Sequence, residues 1–140
     1  MPMVVDGLDG LILDMEAMEE LPQATVSEML QAGGAVIMEA HKSQIQAAGL
    51  VDSGQLRDSI QMSRKIRKKE GACSVDIYPQ GTREDGVRNA EVGFIYEYGA
   101  PGRGIAARQW MRAANEQAED AAGEAAEAVY DNYLRSKNLL

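Results

Sequence analysis

Aromatic residues are scarce in this chain: they make up 5% of it, with a single Trp and a single Phe. Large rings ordinarily supply much of a core's buried area. Here Ala, Leu, Ile, Val and 8 methionines have to build the interior, which suits helices in close contact. Cys73 is the one cysteine and His41 the one histidine. A lone cysteine excludes an internal disulfide and fits a reducing compartment. Together the two residues leave few nucleophile–base pairs. Basic residues are also few, with 14 Lys and Arg against 22 Asp and Glu, a net charge of −8. A free duplex-DNA binder is ordinarily basic, so the balance points to protein partners. No apolar run approaches the roughly 20 residues that cross a membrane. The opening MPMVVDGLDG has neither the basic nor the apolar region of a signal peptide, so a cytoplasmic site of synthesis is expected.

What is present suffices for a core. A length of 140 residues predicts one domain spanning 1–140, and a hydrophobic content of 45% excludes a disordered chain. Leu8, Leu11, Ile12, Met15 and Met18 fall at helical spacing, which predicts a short N-terminal helix. Pro22 suits the first turn of a second, longer helix. Thr25 and Glu28 suit a capping box. From Val26 to about Ala48, Val26, Leu30, Ile37 and Ala40 track one face. Gly33 and Gly34 weaken its middle and suggest close approach of another backbone. Gly49 is a stop signal.

Residues 60–69 alternate as one half-buried strand, with Ile60, Met62 and Ile66 inward. Cys73, Val75 and Ile77 continue the alternation after a turn at 70–71, giving an antiparallel hairpin. Residues 79–86, PQGTREDG, read as a polar loop. NAEVGFIYEYG fits period two as well as period 3.6. Asn89 as N-cap and Gly99 as stop favour a short helix. A long helix from about Arg108 to Tyr133 follows. Its apolar stripe is Trp110, Ala114, Ala118, Ala121, Ala125 and Ala128, with Glu116, Asp120, Glu124, Glu127 and Asp131 opposite. The expected fold class is α+β: N-terminal helices, a small antiparallel sheet built on a β-hairpin, and a long C-terminal helix.

Chemistry-bearing patterns are sparse. Glu39 and His41, two apart, do not share a helix face, which argues against a metal site. Cys73 reads as a buried thiol. GRGIAA at 102–107 matches a dinucleotide fingerprint only loosely and lacks the preceding strand, so it reads as a flexible loop. Arg64, Lys65, Arg67, Lys68 and Lys69 fit a solvated edge strand; a small nucleic-acid-associated regulator using 64–69 is the alternative reading. No catalytic, cofactor or metal residue is expected. In VDSGQLRDSI, Asp52, Ser53 and Gly54 suit a turn and Leu56 and Ile60 suit packing, so the stretch is a joint. Glu97, set among apolar neighbours, is expected to be held by Arg108 or Arg112.

Three stretches carry a resemblance. Asp52, Ser53, Gly54, Leu56, Arg57, Ser59 and Ile60 match a D-[TS]-G-x-L-R-x-S-I pattern. Tyr96, Glu97, Tyr98 and Gly99 match hydrophobic-E-[YF]-G. Ala107, Arg108, Trp110, Met111, Arg112 and Ala114 match A-R-P-[FW]-[LM]-R-x-A. In this order they resemble the neck or tail-completion family of long-tailed phages, minor tail components of HK-type and lambda-type phages and prophages. The chain departs at Gln109, where the family often has Pro, and at Leu50 and Val51, where it often has Ala-Pro. The resemblance implies a non-catalytic virion subunit at the head–tail junction, assembled in the bacterial cytoplasm. Implied partners are head-completion, connector and tail proteins and further copies in a ring, with DNA passing unbound and no membrane. The loops at 80–86 and 99–104 are expected to order on contact with such partners.

Overall fold

The computed structural model describes residues 3–14, 21–50, 54–69 and 72–139. Strands β1 (Met3–Asp6) and β2 (Gly10–Asp14) form an antiparallel hairpin. Helix α1 (Gln23–Ala47) follows, then the short α2 (Gln55–Asp58). Strands β3 (Ile60–Met62), β4 (Arg67–Lys69) and β5 (Ala72–Pro79) complete an antiparallel sheet. Helix α3 (Asn89–Tyr98), a 3-10 turn (Pro101–Arg103) and helix α4 (Trp110–Ser136) close the chain. The fold is α+β, with a small antiparallel sheet, a hairpin and a long C-terminal helix.

Strand order is β1-β2-β5-β3, with β4 beside β5 on the β3 edge. The α1 and α4 helices make the most extensive contact in the molecule and cover one sheet face. Leu11, Met29, Leu30, Ile37, Val75 and Ile77 lie between the layers. Cys73 is buried there too.

The expected helix over 8–18 is a strand at Gly10–Asp14; Met15 and Met18 lie outside the described residues. The chain turns at Gly7, with φ +67°. Two Asp-Gly dipeptides, at 6–7 and 9–10, bracket that turn and favour a hairpin over a helix. The single strand expected over 60–69 is broken at 63–66, and its register on β5 slips by two residues between β3 and β4. Ser63 causes the break: its hydroxyl accepts the Asp76 N–H at 3.0 Å in place of a ladder bond. Pro22 sits at the N-cap of α1, and no side chain caps this helix, so Thr25 and Glu28 form no box. The helix begins too early for one, since Val26 N–H already donates to Pro22 O.

On α4 the buried stripe runs Trp110, Ala114, Ala118, Ala122 and Ala126, not Ala121, Ala125 and Ala128. Steps of four keep the stripe against α1. A methyl group on Gly33 would stand 3.2 Å from Ala122 O and 2.6 Å from Met3 Sδ. One on Gly34 would stand 2.6 Å from Met62 Sδ. The two glycines therefore admit one backbone and two methionines.

Candidate assembly interface

Two joints hold the expected motif residues. At the first, Gly54 takes φ +80° and opens α2; Asp52 and Ser53 lie outside the described residues. Arg57 pairs with Asp58 at 3.0 Å. Ser59 Oγ donates to Leu56 O at 2.7 Å, and Ser59 O accepts Gln80 N–H at 2.8 Å. Leu56 and Ile60 are buried.

The second joint ties the end of α3 to the start of α4. Trp110 is buried, and its Nε1–H donates to Gly93 O at 2.9 Å. Gly93 is wedged: a methyl group there would lie 3.2 Å from the Trp110 ring, 3.0 Å from Pro79 and 3.5 Å from Leu56. Leu56 thus links the two joints. Arg108 N–H donates to Tyr96 O at 2.7 Å, and Gln109 N–H to Glu97 O at 3.2 Å. Gly99 takes φ +80°, and a methyl group on it would stand 2.7 Å from Ala107 N.

Glu97 is not paired with an arginine. It is 1% exposed, and its Oε1 accepts the Met111 N–H at 2.6 Å and the Arg112 N–H at 3.4 Å. These are unpartnered amides of the first turn of α4, and the positive end of the helix favours a carboxylate there. The Arg108 and Arg112 side chains are exposed. Among the described residues the only ion pairs are Arg57–Asp58 and Arg67–Asp76. The arginine reading failed because backbone N–H groups reached the carboxylate first.

Gln109 adopts φ +48° immediately before α4. Proline, fixed near −65° and lacking an N–H, can neither take that angle nor make the bond to Glu97 O. Gln109 thus takes a backbone that the proline of the resembled pattern could not adopt.

The segment 100–109 is exposed except for half-buried Ala100 and Ile105. Ala100 and Ile105 exchange two backbone bonds, of 2.8 and 3.1 Å, and Pro101–Arg103 forms the tip. The loop expected to be flexible is therefore internally bonded. The 80–88 loop is likewise internally bonded, through Arg83 N–H to Val87 O and a Thr82–Arg88 bridge.

His41 is a structural residue. It is fully buried, edge-on to Trp110 at 5.5 Å, and its Nε2 lies 2.8 Å from Asn115 Oδ1. Asn115 Nδ2 donates to Leu8 O, so Oδ1 must accept and the imidazole carries its proton on Nε2. This chain of bonds ties α1, α4 and the β1–β2 turn. Sequence spacing gave no sign of it, because Asn115 comes 74 residues later. Burial holds the His41 pKa below its ordinary value, against the Asn115 bond, which raises it.

An open cleft of about 470 Å³ lies between the β1–β2 turn and α4, lined in part by Val5, Leu8, Tyr98, Arg112, Glu116 and Glu119. Glu119 Oε2 accepts the Val5 N–H at 2.9 Å and so caps the outer edge of β1. Among the described residues no group of three or more His, Cys, Asp and Glu is placed to hold a metal ion. No helix among them is long and apolar enough to cross a membrane.

These geometries define a scaffold whose motif residues brace one helix on another. Residues 9–93 match the family described as "Bacteriophage HK97-gp10, putative tail-component". The chain belongs to this family of phage tail components. The matched span includes the first joint and the first half of α3 but stops short of Glu97–Gly99 and of the Arg108–Ala114 stretch. No curated protein matches the chain and no solved structure does.

Proposed function

We propose that this protein is a non-catalytic subunit of the phage head–tail junction, completing or joining the tail as part of an oligomeric ring around the DNA channel. The family match across 9–93 carries the reading, since it makes the chain a tail component of the virion. Two features support the finer placement. The motif residues are spent on bracing α2, α3 and α4, which suits a subunit that presents surfaces. The net charge of −8 suits a ring through which DNA passes without being gripped. Head-completion, connector and tail proteins are the partners of such a ring, and it assembles in the host cytoplasm.

The basic edge strand does not favour the nucleic-acid reading. Arg67 is engaged by Asp76 at 2.6 Å, and Lys68 Nζ by the side chain of Gln23. Removing the gene tests the proposal. Filled heads and separate or unstably attached tails are expected in the lysate. Normal infectious particles without the gene would overturn it.

A further inference from the structure

Charge is segregated along the last third of the chain. From Gly99 to Ala114 it holds Arg103, Arg108 and Arg112 and no acid. From Glu116 to Asp131 it holds Glu116, Glu119, Asp120, Glu124, Glu127 and Asp131 and no Lys or Arg. The three arginines are exposed, as are Glu116, Asp120, Glu124 and Glu127. Among the described residues neither set has an opposite charge within 4 Å, since the ion pairs there are Arg57–Asp58 and Arg67–Asp76.

The two sets differ in placement. Glu116, Asp120, Glu124, Glu127 and Asp131 recur at three- and four-residue steps, so they form one row on α4, where like charges repel. This helix face has no partner among the described residues. Arg103 and Arg108 lie on the loop before α4, held in shape by the Ala100–Ile105 bonds, the Arg108–Tyr96 bond and the buried Glu97 cap. A loop held by its own bonds loses less entropy on docking than an open one.

The geometry points to a head-to-tail contact: the Arg103–Arg108 loop of one copy docks on the acidic row of α4 in the next. A two-fold contact could pair the loop of each copy with the row of the other, but it would stop at a dimer. A head-to-tail contact pairs opposite charges and, repeated about an axis, closes a ring. Arginine suits the role, since its planar fork grips carboxylates with two parallel bonds. The inference rests on the ring reading and names the surfaces that would make the ring.

Cysteine cross-linking in assembled particles tests it. Cys73 is buried, so introduced thiols report alone. Arg103→Cys is combined in turn with Asp120→Cys, Glu124→Cys and Glu127→Cys, and particles are oxidised. A ladder of disulfide-linked copies from at least one pair is expected, absent from each single variant. If no pair gives a ladder while a lysine-reactive linker does, the copies meet elsewhere: the proposal falls and the ring stands. If neither gives one, both fall. Charge exchange adds a second readout. The double variant R103E/R108E should lose infectious titre, and adding E124R/E127R should recover it. A titre unaffected by the first pair, or unrescued by the second, would overturn the contact.

Discussion

Glu97 is a carboxylate with almost no exposure and no cation beside it. It caps α4 through the Met111 amide. Glu97→Ala removes a charge-assisted bond and leaves that N–H buried, at a cost of about 2 kcal/mol. Glu97→Gln, which keeps an acceptor, should lose less. A urea midpoint unchanged by Glu97→Ala would contradict the cap. The residue's importance was legible in the sequence, but its partner was not, because every residue carries an N–H and only the fold selects which one arrives.

His41 gives a pH signature. Burial depresses its pKa from the ordinary 6.5. The unfolded chain therefore takes up a proton near 6.5 while the folded chain resists it. This contribution is complete above that pH and is lost as pH falls toward the folded value. The melting midpoint should drop between pH 7.5 and 5.5, where carboxylates scarcely titrate, and the drop should shrink in His41→Gln. Equal slopes in the two proteins would contradict the assignment. Gln109 allows a third test at this scale. Gln109→Pro, a change toward the resembled pattern, should destabilise by more than about 1 kcal/mol, and a neutral result would mean the left-handed backbone is not populated.

Among the elements, α1 and α4 were readable because their apolar positions follow a 3.6-residue period, and the ends of α1 and α3 were marked by glycine stop signals. Gly49 and Gly99 both take positive φ where those helices end. The β1–β2 hairpin was missed because Leu8, Leu11 and Ile12 also fit a helical stripe. The turn chemistry of Asp6-Gly7 and Asp9-Gly10 was the better signal. The face of α4 was misjudged beyond Ala118 because alanine occurs on several of its faces, so composition cannot choose among them. The methionines and glycines of α1 and the sheet make that choice.

Glycines separate the roles of these elements. Gly99→Ala meets both a positive φ and the Ala107 backbone, and should cost at least about 2 kcal/mol. Gly123 lies within α4 with nothing near its missing methyl group. Gly123→Ala should instead stabilise by up to about 1 kcal/mol. Denaturant titrations of the two variants check the contrast, and a shift in the same direction would refute the joint.

At the scale of the whole molecule, the free protein is predicted to be a monomer or a weak oligomer. Loops that order on contact would give one reason, but the 80–88 and 99–105 loops are internally bonded. The ground that stands is electrostatic. Each copy carries −8, so copies repel at long range, and exposed charge pairs between them contribute little each and are screened by salt. Closure then needs a neighbouring ring as template. Sedimentation at low micromolar concentration should show a single small species, and a stable ring of the pure protein would contradict this. The virion role could be inferred from three short stretches, whereas the surfaces that would meet partners emerged only once α4 was seen to separate its charges.

Position in the particle tests the central claim most directly. A gold-binding tag placed after Leu139, where the chain is exposed, can be imaged by electron microscopy on infectious particles. The account predicts label concentrated at the junction of head and tail. Label along the tail tube or at its distal tip, with the junction bare, would contradict it.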